Sequence, residues 1–123
     1  MNRFDVIVIG AGSAGYAAAR TLGGRGKKVG LVDKGPLGGL CILKGCMPSK
    51  TLLRSSEVLQ LIREADELGL RVPSVEPDFP AIMERRQRLV KGFQDYRVDG
   101  IHHAPNVTLI MGTARFVDAQ AIE

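Results

Sequence analysis

Residues 4–15 read Phe4-Asp5-Val6-Ile7-Val8-Ile9-Gly10-Ala11-Gly12-Ser13-Ala14-Gly15. The run Phe4 to Ile9 is short, β-branched and almost wholly apolar, the composition of a strand covered on both faces. Gly10 to Gly15 is a glycine turn. The alanine-rich stretch Ala14 to Leu22 predicts a helix, with Gly23-Gly24 as a stop signal. Lys28 to Val32 is a second short apolar strand. Strand, helix and strand in that order form a βαβ unit, whose strands run parallel with a right-handed crossover. The fold class is therefore α/β, a Rossmann-like parallel sheet with flanking helices.

Working outward, residues 34 to 47 are turn-rich and hold both cysteines, Cys41 and Cys46. Pro48 opens a predicted long helix to about Leu68. Its buried face is expected to carry Val58, Leu59, Leu61, Ile62, Ala65 and Leu68, with Gly69 as cap. Three prolines between Val72 and Pro80 mark a connection. A second helix is expected from Ala81 to about Ile101, with Ile82, Leu89 and Phe93 inside. Val107 to Met111 and Ala114 to Val117 are expected to be two strands around Gly112-Thr113.

The 123 residues suffice for one small domain that buries roughly two thirds of its unfolded surface. With 45% hydrophobic and 24% charged residues, the composition is that of a globular chain. The formal charge is +4, but basic and acidic residues are interspersed and aromatics are only 5%, so the footprint of a nucleic-acid binder is missing. Apolar runs fall short of the ~18 residues that suggest a membrane span. The N-terminus has no secretory pattern, and a cytoplasmic location is expected.

The glycines of the turn have separate tasks. Gly10 permits the tight turn off the strand, Gly12 lets backbone approach a pyrophosphate, and Gly15 lets helix and strand pack closely. The helix start then offers N–H groups and a positive dipole end to an anion. Asp33, ending the second strand, is placed to accept hydrogen bonds from a ribose hydroxyl. The alternative is a structural glycine turn with no ligand, and the motif alone does not separate FAD from NAD.

Cys41 and Cys46 are five positions apart. On a regular helix they would stand about 140° apart around the axis, with Cα atoms beyond the ~7 Å a disulfide tolerates. A bridge needs irregular backbone, which Gly45 permits. Closing so short a loop contributes only about 2 kcal/mol, so redox chemistry explains the pair better than stabilisation does. The helix start near Pro48 is expected to lower the cysteine pKa. Two unrelated buried cysteines are the plain alternative. A metal site would need more ligands than these two, and His102-His103 fit surface positions.

The run Gly38-Gly39-Leu40-Cys41-Ile42-Leu43-Lys44-Gly45-Cys46-Met47-Pro48-Ser49-Lys50, following a dinucleotide βαβ unit, resembles the class I pyridine nucleotide–disulfide oxidoreductases. Dihydrolipoamide dehydrogenase, glutathione reductase and mercuric reductase belong to that family. The resemblance covers essentially the whole chain, because Gly112-Thr113-Ala114 fits the family's adenine-contacting turn. It implies FAD as cofactor and NAD(P)H as a diffusible partner bound by a domain outside these residues. Cys41 would be the interchange thiol that meets substrate, a small-molecule disulfide or related oxidant. Cys46 would lie against the flavin as the charge-transfer thiolate, and Lys50 near its ring. The implied FAD contacts are Gly10, Gly12, Ser13, Ala14, Gly15, Asp33, Lys34 and Gly39, then Cys41, Gly45, Cys46, Lys50, Thr113 and Ala114. Asp33 takes the place of the family's usual Glu.

Leu40 stands where the family usually has Thr, and Leu43 where Asn is usual. The Met47-to-Leu53 continuation is most like the dihydrolipoamide dehydrogenase and mercuric reductase branches. All 123 residues are expected to form the N-terminal part of an FAD-binding domain. Residues 1–35 would be the βαβ unit, 36–70 the redox-cysteine segment with its helix, and 71–123 a second helix with a strand pair. A second glycine fingerprint, the NAD(P) domain and the dimerisation domain of a homodimer are all missing from these residues. The chain alone is expected to show no turnover. The alternatives are a mercuric reductase-like enzyme and a non-catalytic dinucleotide-binding module.

Overall fold

The computed structural model describes residues 2–123. Strand β1 (Val6–Ile9) leads through the glycine turn into α1 (Ser13–Gly24), and the chain returns along β2 (Val29–Asp33). Helices α2 (Gly39–Leu43) and α3 (Cys46–Arg63) follow. A 3-10 turn at Ala65–Leu68, the long helix α4 (Phe79–His102) and β3 (Val107–Met111) complete the order. The strands form one parallel sheet, β1-β2-β3. Val6 pairs with Val29 and Val29 with Val107, so the strands end along one edge. The glycine turn, Asp33 and Gly112-Thr113 therefore share that edge.

Central strand β2 is buried from Val29 to Val32, as its apolar run requires. Against one face lie α1 and the end of α4, and Ala11, Ala19, Val29, Leu31 and Ile101 form the core. Burial of a side chain such as Leu31 contributes about 1.5–3 kcal/mol. On the opposite face Phe4 lies over Gly30. Ile7 and Ile9, pointing away from the core-facing Val8, stay 37% and 48% exposed.

Several sequence expectations need correction. Helix α1 runs through Gly23-Gly24, with Arg25 as its C-cap and left-handed Gly26 beyond it. Gly23 is a packing residue, because a Cβ there would lie 2.1 Å from the Pro105 carbonyl oxygen. The 34–47 stretch contains the short helix α2, and α3 starts at Cys46, two residues before Pro48. Proline is tolerated in a helix's first turn, where its missing N–H has no intrahelical task. The α-helix stops at Arg63, and the 3-10 turn then ends at Gly69 in the left-handed conformation, as the cap expectation required.

The expected inward face of this helix is only partly inward. Leu59 and Ile62 are half-buried and Ala65 is buried, but Val58, Leu61 and Leu68 are exposed. The same holds for Phe93 on α4. The reason is that α3 packs chiefly against α4 and α2, and no second layer covers its outer side among the described residues. Helix α4 starts at Phe79 because Asp78 caps it, its Oδ1 accepting from Ala81 N–H at 3.0 Å. Of the strand pair expected in 71–123, only β3 forms. Ala114 to Val117 makes no strand, and a lone antiparallel bridge joins Phe116 to Ile122. After Met111 the chain leaves the sheet and folds back on itself, Arg115 and Glu123 exchanging backbone hydrogen bonds at 2.8 and 2.9 Å, a pairing too short to make a strand.

Candidate functional site

The glycine turn is tightly constrained. Gly10 has φ +95°, where a side chain is strained. A Cβ on Gly15 would lie 1.7 Å from the Gly10 carbonyl oxygen, so only glycine lets the helix pass this close to the turn. Gly12 is the N-cap of α1, no side chain caps that end, and the first turn carries no acidic residue. The first-turn N–H groups at Ser13 and Ala14 thus lack a side-chain partner, as an anion site requires.

Asp33 holds the turn in place. Its Oδ2 accepts from the Ala11 N–H at 2.6 Å and its Oδ1 from the Gly35 N–H at 2.6 Å. A cavity of about 210 Å³ opens here, lined by Gly10, Asp33, Lys34, Thr113 and Ala114 together with Ile9, Val32 and Gly112. All are contributed by the carboxyl ends of the three strands, where open α/β sheets bind ligands. A larger apolar groove of about 360 Å³ lies between α3 and the start of α4, and none of the expected site residues lines it.

The cysteine segment reaches the turn through glycine. Gly39 has φ +72°, and its Cβ would lie 2.6 Å from the Gly12 Cα. Backbone therefore meets backbone between the phosphate turn and the start of α2. Cys41 sits half-buried in α2, and Cys46 is exposed at the first position of α3. Between them Gly45, with φ −124° and ψ −113°, breaks the helix. A Cβ on Gly45 would press to 3.0 Å from the Leu40 carbonyl oxygen. The irregular backbone expected between the cysteines is present.

Both cysteines are free thiols. The side-chain hydrogen bond with Cys46, then burial and the charge of Cys46, hold the Cys41 thiol above its ordinary value. The Cys46 backbone and the Lys50 ammonium pull the other way. For Cys41 the expected lowering is thus reversed, because the hydrogen bond with Cys46, burial and the Cys46 charge outweigh the Cys46 backbone and Lys50. His102 and His103 are exposed, and His103 Nδ1 lies 3.1 Å from Asp99.

Two contacts had no signal in sequence. Gln94 Nε2 donates to the Leu37 carbonyl at 2.8 Å, and Arg85 Nη1 to the Thr51 carbonyl at 3.0 Å. Their partners are 57 and 34 positions away, beyond the reach of any periodicity.

Residues 4–123 match the family described as pyridine nucleotide-disulphide oxidoreductase. The chain belongs to that family. It is 34% identical over 120 residues to a dihydrolipoyl dehydrogenase of Chlamydia muridarum, covering 98% of this chain and 26% of that protein. Identity to a mercuric reductase of Lysinibacillus sphaericus is also 34%, over 99% of the chain and 22% of that protein. Among solved structures, the Cu(II) complex of the HOCl-induced flavoprotein disulfide reductase RclA from Escherichia coli superposes with a TM-score of 0.77. It is 26% identical, with 97% of this chain and 24% of that one covered. The family member thus spans about a quarter of the length of the relatives it matches.

Proposed function

We propose that this family member is the N-terminal, FAD-binding part of a flavin-dependent, NAD(P)H-linked disulfide oxidoreductase whose redox couple is Cys41–Cys46. The supporting observation is the contact of Gly39 with Gly12, which joins the anion-receptive helix start to the thiol segment. An elongated cofactor lying along the strand ends would run past both. The residues present fit FAD in that pose. Gly15 and Gly39 let α1 and the start of α2 close on the glycine turn, and α1 offers uncapped N–H groups to a pyrophosphate.

In this reading Gly12, Ser13 and Ala14 hold the pyrophosphate. Asp33 takes the ribose with its remaining lone pairs, and Lys34, Thr113 and Ala114 border the adenosine. The chemistry FAD supplies when bound is two-electron exchange between a nicotinamide and a disulfide. In the chain itself, two electrons and two protons convert the Cys41–Cys46 disulfide into two thiols, with Cys41 exchanging with substrate. Lys50 favours negative charge beside the pair. Residues 1–35, 36–70 and 71–123 supply the dinucleotide unit, the thiol segment, and the helix with its closing strand.

The same reading makes the enzyme most like dihydrolipoamide dehydrogenase, its substrate a small-molecule disulfide or related oxidant, its working form a homodimer and its location cytoplasmic. The 123 residues carry one glycine fingerprint, at 10–15, and turnover by the chain alone is not expected. A mercuric reductase-like activity is the second reading, favoured by the equal identity to that relative. Visible spectroscopy tests the proposal on the purified chain mixed with FAD and desalted. Retained flavin bands, with a new long-wavelength band on dithionite reduction that Cys46→Ala abolishes, are expected. A colourless protein that takes up NAD instead would mean a plain dinucleotide-binding module.

A further inference from the structure

We propose that Arg85 and Gln94 of α4 are positioning residues for Cys41 and Cys46, clamping the two backbone segments that carry the thiols. The inference rests on the reading of the pair as a redox couple. Gln94 donates to the carbonyl of Leu37, four residues before Cys41. Arg85 donates to the carbonyl of Thr51, five residues after Cys46. The Gln94 Cγ also lies 3.6 Å from where a Cβ on Gly38 would stand, so Gln94 abuts the left-handed glycines that lead into α2. Thr51 is buried, and its own hydroxyl donates to the Pro48 carbonyl at 2.7 Å, tying the first turn of α3 together. One rigid helix thus holds both flanks of the thiol segment, while Gly45 between the cysteines is the pliable joint.

Oxidation by glutathione disulfide removes two electrons and two protons from the thiols, forms one S–S bond and cleaves another to give two glutathione thiols. The bridge itself restrains Cys41 and Cys46, so the clamps restrict the dithiol more than the disulfide. Their loss frees the dithiol and favours reduction. The equilibrium constant for bridge formation is expected to fall about threefold to tenfold per clamp, the size of one hydrogen bond's net contribution. Tenfold corresponds to about 30 mV in a two-electron couple.

The full chain is equilibrated in glutathione buffers of graded ratio, and the bridged fraction is read by mass spectrometry after alkylation. Gln94→Met and Arg85→Met are expected to shift the midpoint toward the dithiol. Arg85→Lys, which keeps a donor, should recover most of the shift. Lys91→Ala, which breaks only the surface ion pair with Asp95 on the same helix, should leave it unchanged. Where a Met variant does not fold, Gln94→Glu or Arg85→Glu, neither of which keeps a donor, replaces it. Midpoints within twofold of wild type, even with a lowered melting temperature, overturn the inference alone. A wild-type chain that forms no bridge at any ratio overturns the redox reading and this inference with it.

Discussion

Gly15→Ala isolates the physical basis of the glycine turn. The added Cβ would lie 1.7 Å from the Gly10 carbonyl oxygen, 2.9 Å from its carbon and 3.3 Å from a Val8 methyl. Carbon and oxygen touch at about 3.3 Å, so α1 and the turn must separate by about 1.6 Å. The obstacle is backbone, which cannot rotate away as a side chain can. Overpacking costs about 1–3 kcal/mol, and this geometry places the substitution at the upper end, about 3 kcal/mol. For a chain of this size roughly 4 °C of melting temperature accompanies each kcal/mol, so a fall of about 12 °C is expected in thermal unfolding followed by far-UV circular dichroism. Gly12→Ala is the internal comparison. Gly12 has φ −66°, and its Cβ would meet nothing nearer than the Gly39 Cα at 4.0 Å. Removing glycine's freedom in the unfolded chain contributes about 0.4–1 kcal/mol in the stabilising direction, so its melting temperature should hold or rise slightly. It should nevertheless weaken flavin retention, since in the FAD-binding reading the backbone at Gly12 is where a pyrophosphate is approached. A Gly15→Ala protein melting within 3 °C of wild type would refute the close-packing argument.

Two further outcomes follow from the site. Asp33→Asn can accept only one of the Ala11 and Gly35 N–H bonds that the carboxylate now takes. A loss of about 1–3 kcal/mol is expected, together with weaker flavin binding, both read from urea titrations with and without FAD. An unchanged midpoint would mean that the turn does not depend on Asp33. The Cys41 thiol is held up mainly by its hydrogen bond with Cys46, so less of it is thiolate at a given pH than in an ordinary cysteine. Cys46→Ala removes that restraint and should move the iodoacetamide reactivity profile of Cys41 to lower pH. Lys50→Met, removing a nearby cation, should move it to higher pH. Mass-spectrometric alkylation rates between pH 6 and 10 check both signs.

Reading the sequence placed β1, α1, β2 and β3 to within a few residues, because each is announced by local chemistry. These signals are β-branched runs, an alanine-rich helix and glycines at fixed offsets. The thiol segment was legible for the same reason, since five-residue spacing and Gly45 describe a local backbone. It also supplied Gly15's need for close packing and the family membership that the comparison of residues 4–123 then showed. Tertiary structure decided the rest. The apolar spacing of α3 suggested one inward face, yet Val58 and Leu61 are exposed because no layer among the described residues covers them. The Gly23-Gly24 pair resembled a helix stop, but Gly23 answers to Pro105, 82 positions on. Arg85 and Gln94 reach the cysteine flanks across 34 and 57 residues, and Gly39 rests on Gly12 across the turn. Such contacts depend on how elements come together in space, and neither period nor propensity encodes a distance between segments so far apart in the chain.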